Sequence, residues 1–90
     1  MIAKQIFYEG RVQGVGFRYA VKQIASGFDL SGTVQNLPDG RVELLAQGDA
    51  VEVDDFLGAI TESHLGGFIR EKTEQVIEPD PKVAGFSIRR

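Results

Sequence analysis

The 90-residue chain has no cysteine. That excludes a disulfide framework and any thiolate metal site, and it fits a reducing cytoplasm. Positive charge is not in excess either. Ten Lys and Arg stand against thirteen Asp and Glu, a net charge of -3, and no basic run is longer than two residues. Such a chain presents no broad basic field to nucleic acid. No apolar run approaches the roughly 20 residues that span a bilayer. The opening residues Met1-Ile2-Ala3-Lys4-Gln5 lack the apolar core of a secretory signal. No linker, repeat or low-complexity segment interrupts the sequence. These absences leave one small soluble domain over residues 1–90, expected in the cytoplasm and, for want of an obvious apolar patch, as a monomer. A content of 42% hydrophobic and 26% charged residues suits a modest core built without staples.

The apolar pattern divides the chain into short elements. Residues 3–9 read as a strand ending at Gly10. From about Gly16 to Gly27, Phe17, Ala20, Val21, Ile24 and Phe28 fall near helical spacing. Leu30 to Leu37 reads as a strand, Pro38-Asp39-Gly40 as a turn, and Arg41 to Gln47 as its hairpin partner, with Leu45 breaking the alternation. Asp49 opens a second helix whose stripe is Val53, Phe56, Leu57 and Ile60. Glu52 stands three residues after Asp49, the spacing of a capping box. Gly66-Gly67 breaks the chain. Residues 69–77 form a strand polar on both faces, as expected of an exposed edge. Pro79 and Pro81 mark a loop before a short last strand, Gly85-Phe86-Ser87-Ile88. The order is β-α-β-β-α-β plus one short strand. Two helices cannot cover both faces of such a sheet, so the economical arrangement stacks both on one face of a largely antiparallel sheet.

Between the first strand and the first helix stands Gly10-Arg11-Val12-Gln13-Gly14-Val15-Gly16-Phe17-Arg18. Backbone N–H groups of a glycine loop, together with those of a helix's first turn, form a cradle for an anion. Arg18 falls in that first turn, and a guanidinium fork matches two phosphate oxygens. Familiar nucleotide loops do not fit. A P-loop needs Lys followed by Ser or Thr where Phe17-Arg18 stands, and a dinucleotide fingerprint needs a glycine where Tyr19 stands. No acidic pair or histidine cluster is placed to hold magnesium or zinc. The loop therefore suits one small phosphoryl group, neutralised by N–H groups and arginine. The plainer alternative is a tight turn beside a solvated arginine.

Residues 10–18 resemble the glycine-loop signature of the acylphosphatase family. A second signature of that family matches Gly32-Thr33-Val34-Gln35-Asn36, Asp39-Gly40-Arg41-Val42-Glu43 and Gly48. The resemblance spans the whole chain and includes the closing Phe86-Ser87-Ile88. It implies an α+β fold, a ferredoxin-like α/β sandwich with a five-stranded antiparallel sheet and two helices on one face. It implies hydrolysis of the carboxyl–phosphate bond of a small-molecule acyl phosphate, without metal or organic cofactor. Carried over by position, Arg18 binds the phosphate and Asn36 orients the attacking water. The backbone of Gln13, Gly14, Val15, Gly16, Phe17 and Arg18 forms the phosphate-binding loop.

Other residues take plainer readings. Asn36 alone would serve as a turn residue; paired with the loop it reads as functional. Gln13 can bond within the turn or meet substrate. Tyr19 reads as packing or surface, Arg11 as solvated, and His64 as a surface residue near a helix end. Asp54-Asp55 are adjacent on a helix and cannot face one another. Three positions depart from the family pattern. Thr33 replaces a usual aromatic, Gln35 a common basic residue, and Arg89-Arg90 stand where relatives often carry an aromatic. The competing reading is an anion-binding or regulatory module of the same fold with little turnover.

Overall fold

The structure is a computed structural model describing residues 1–90. The first strand, β1 (Ile2–Gly10), alternates: Ile6 and Tyr8 are fully buried while Gln5 and Phe7 face the other way. The first helix, α1 (Phe17–Ala25), buries Phe17, Val21 and Ala25 along one stripe. The hairpin pairs β2 (Leu30–Asn36) with β3 (Val42–Gly48). The second helix, α2 (Ala50–Glu62), buries Val53, Phe56, Leu57 and Ile60. A short 3-10 turn (His64–Phe68) leads into β4 (Ile69–Ile77), and β5 (Phe86–Arg89) closes the order.

The sheet runs β4-β1-β3-β2-β5. Its core cluster joins Ile6, Tyr8, Val34, Val42, Leu44 and Ala46 to the buried stripes of both helices. Both helices therefore cover one face, as the element count requires. Lys4 reaches the same side, where its Nζ lies 2.9 Å from Asp54 of α2. Asp54 is thus spent on an ion pair and does not act with Asp55. The other face carries a polar belt. Gln5 and Gln35 each donate to a different oxygen of Glu43 at 2.7 Å, and the Arg41 guanidinium sits 4.4 Å above the Phe7 ring.

Two local expectations are corrected. Three strand pairings are antiparallel, but β5 pairs parallel with β2. The reason is the route of the chain. Residues 78–85 cross from one edge of the sheet to the other at a single end, so β5 runs opposite to β4 and along β2. Gln47 pins this crossing: it donates to the Asp80 carbonyl at 2.8 Å and accepts from the Asp80 N–H at 2.9 Å. The capping box at Asp49 and Glu52 does not form. Asp49 makes no side-chain cap bond, and the Glu52 carboxylate, which would accept from the Asp49 N–H in a capping box, accepts instead from the Asp29 N–H at 2.7 Å.

Tyr8 carries a defect. Its ring packs 5.3 Å from the Phe17 ring, and its hydroxyl is buried without a partner. Burial, aided by the Glu74 carboxylate, pushes its pKa well above the ordinary 10.0. An orphan buried hydroxyl costs stability. Tyr8→Phe should therefore raise the unfolding free energy by about 1 kcal/mol, read from urea melts at neutral pH. The sign with pH follows from the raised pKa. The unfolded tyrosine releases its proton above pH 10.0 while the folded one keeps it, so wild-type stability falls as pH rises past that value. The variant should lose this part of the alkaline decline.

Candidate active site

The site is built where β1 hands over to α1. At Gly10 the backbone takes φ 133°, and an added Cβ would strike the Phe68 carbonyl, so no side chain fits. The Arg11 N–H donates to that carbonyl at 2.9 Å and fixes the exit from the strand. Val12 and Phe17, each 1% exposed, then anchor the chain in the core. Between these anchors Gln13, Gly14 and Gly16 are exposed, and Val15 packs half-buried against the core.

The arch gets its shape from two glycines. Gly14 has φ 79° and Gly16 φ 77°, and no other residue type in the chain has positive φ. The sign of φ therefore alternates along residues 13–17. Such alternation turns successive N–H groups toward one concave side. The N–H groups of residues 13–19 donate to no protein acceptor. Those of Phe17, Arg18 and Tyr19 belong to the first turn of α1, where the helix lends partial positive charge. Gly16 is the helix N-cap and supplies no side-chain cap bond. The loop thus presents donors and one cation, with nothing inside the protein to receive them.

Asn36 faces this arch. It ends β2 on the same side as buried Val34. Its Oδ1 is buried and has no hydrogen-bond partner. A cavity of about 190 Å³ brings Gly14, Gly16, Phe17 and Arg18 together with Asn36 on one wall system. Gln13 and Val15 do not line it. The Gln13 side chain turns the other way and donates to the carbonyls of Leu37 and Arg41, both at 2.9 Å. It ties the arch to the β2–β3 turn and so sets the arch against Asn36. That turn is itself closed by Leu37 N–H to Arg41 O at 2.8 Å. Asp39 accepts from the Arg41 N–H at 3.0 Å and from its Nε at 2.8 Å. The Arg41 backbone donor, then its guanidinium, holds the Asp39 carboxyl below its usual range.

The family model for acylphosphatase matches residues 4–88. The chain belongs to the acylphosphatase family. It is 39% identical to the acylphosphatase of Lacticaseibacillus paracasei over 88 residues, which covers 97% of this chain and 95% of that one. It is 37% identical to the acylphosphatase of a Nostoc species over 90 residues, covering 100% and 88%. The crystal structure of acylphosphatase from Bacillus subtilis superposes with a TM-score of 0.90 at 34% identity, covering all of both chains.

Four further residues line the cavity: Val12, Tyr19, Ile88 and Arg90. Sequence reading set Tyr19 aside as packing or surface, and it is 66% exposed at the rim. Ile88 and Arg90 were missed as site residues because an antiparallel β5 gives no reason to place them there. The parallel register pairs Val34 with Ile88 and Gln35 with Arg89, so the next step sets position 90 alongside Asn36. His64 is exposed at the start of the 3-10 turn and does not line the cavity.

Gln13 offers a test of the arch as a positioned element. Gln13→Ala removes both ties to the β2–β3 turn and leaves the arch glycines in place. Acyl phosphate hydrolysis should fall about tenfold in kcat/KM, since a displacement near 1 Å is costly to positioned chemistry. The thermal midpoint should drop by only about 5 °C. Steady-state kinetics beside a thermal melt checks both.

Proposed function

We propose that the arch and Arg18 hold the phosphoryl group, and that Asn36 directs the water, in the acyl phosphate hydrolysis that family membership assigns to this chain. The observation that carries the assignment is the facing pair of unmet needs. Unpaired N–H donors with a guanidinium line one side of the cavity, and a buried, unpartnered carboxamide oxygen lines the other.

The chemistry asks for little more. An acyl phosphate is a mixed anhydride, and its carboxylate leaves readily. The site must place water in line with phosphorus and stabilise charge on the phosphoryl oxygens. Preorganised N–H groups, the helix N-terminus and Arg18 supply the stabilisation. Asn36 Oδ1 accepts one proton of the water and so aims the oxygen lone pair at phosphorus. The new P–O bond forms as the bond from phosphorus to the carboxylate oxygen breaks. Asparagine is too weak a base to keep the proton, and no carboxylate or imidazole side chain lines the cavity. The proton passes to a phosphoryl oxygen of the substrate. Products are a carboxylate and inorganic phosphate.

The same reading takes the chain as a cytoplasmic monomer acting on a small molecule. Its large exposed apolar residues, Met1, Tyr19, Val51 and Val76, fall on or next to separate elements. No helix is long and apolar enough to cross a membrane.

Benzoyl phosphate distinguishes the two roles. Arg18→Gln and Asn36→Ala should each lower kcat by roughly 100-fold or more, with circular dichroism unchanged. Inhibition by inorganic phosphate should weaken in Arg18→Gln and persist in Asn36→Ala. Full activity in either variant removes that residue from the mechanism. Phosphate binding without turnover in the wild type makes the chain a binding module instead.

A further inference from the structure

All six arginines of this acidic chain lie at one end of the sheet. β1, β2 and β5 end there, and β3 and β4 begin there. Arg11 follows β1, Arg18 lies in the first turn of α1, Arg41 precedes β3, Arg70 is near the start of β4, Arg89 closes β5 and Arg90 follows it. Asp29, Asp49, Glu52, Glu78 and Asp80 lie at the opposite end. The same end also carries Glu9, Asp39, Glu62 and Glu71, so this arginine pole is of mixed charge, and only the arginines that reach the cavity bear on an anion there.

Within that pole, Arg18 and Arg90 alone among the arginines line the cavity, and no carboxylate side chain lines it with them. Neither is in an ion pair, whereas Arg41 is held by Asp39. The position of Arg90 follows from strand geometry. Ile88 and Asn36 line the same cavity, and side chains two apart on a strand share a face. Position 90 follows the last paired residue, Arg89 opposite Gln35, and continued alternation carries it toward Asn36, with which it lines the cavity.

We propose that Arg90 is a second phosphoryl-binding arginine, contacting the phosphoryl oxygens from the β5 side while Arg18 grips them from the helix side. This rests on the reading that the cavity holds a phosphoryl group. Charge spread over three equatorial oxygens is better met by donors from two directions than from one.

The test compares wild type, Arg90→Gln and Arg90→Lys. Inorganic phosphate binding is measured by calorimetry, and kinetics are measured with benzoyl phosphate and with succinyl phosphate, whose acyl group is itself anionic. Arg90→Gln should weaken phosphate binding about fivefold, the scale of a partly exposed charge pair. It should raise KM for both substrates alike, and Arg90→Lys should recover part of each loss. Unchanged phosphate affinity in Arg90→Gln overturns the proposal. So does a loss confined to succinyl phosphate, which would place Arg90 on the acyl end. A wild type that binds phosphate but hydrolyses neither substrate defeats the hydrolase reading, and the phosphate titration then still decides for or against Arg90.

Discussion

The structure depends on a run of backbone N–H groups that the chain deliberately leaves unpaired. Residues 13–19 offer donors to which no protein atom replies. Unmet backbone donors are tolerated only where water or a ligand can reach them. The fold keeps them open by fixing both ends of the arch. Val12 and Phe17 are buried, and four residues between anchors leave too little chain to fold back and satisfy itself. The two left-handed glycines make the alternate backbone signs possible at low cost. Without either anchor the arch would collapse onto the core or extend into solvent. In both cases the donors would cease to converge.

Across the cavity the Asn36 oxygen is a second unmet need, of opposite polarity. One orphan of this kind reads as a defect. Two of complementary sign facing the same space are a prepared binding geometry. Tyr8 shows the contrast. Its hydroxyl is as unpartnered as the Asn36 oxygen, but it is buried beside Phe17 and does not line the cavity, so it can only cost stability. Position decides whether an unsatisfied group is strain or function.

Much of this was legible in the residues. The element order, the helix stripes and the polar edge strand stand in the local pattern, whereas the pairing of the glycine arch with Asn36 is implied only by the resemblance of two separated motifs to the family signatures. What was not legible depended on partners distant in sequence. Glu52 has the spacing of a capping box, but a backbone donor at Asp29, 23 residues away, claims its carboxylate. Gln13 could serve substrate or turn, and only the nearness of Leu37 and Arg41 decides for the turn. Arg90 becomes a cavity residue only once β5 is known to run parallel to β2, and that depends on where residues 78–85 cross. Periodicity fixes which face a side chain takes. It does not fix which strand lies next to it.

That same alternation explains why two of the departures from the family pattern, Thr33 and Gln35, stay out of the cavity that Asn36 lines. Thr33 and Gln35 are one residue out of step with Val34 and Asn36, so they occupy the other face of β2. Gln35 donates to Glu43 in the polar belt, and a basic residue there would meet that carboxylate rather than the substrate. Thr33 lines a separate cavity of about 120 Å³ with Leu45, Val83 and Arg89, in the lee of the crossing segment. A larger side chain at position 33 would fill that space and tighten the crossing without touching the cradle. The sheet therefore separates two tasks by parity. Even positions of β2 build the core and carry the carboxamide that lines the cavity, and odd positions pack the far face.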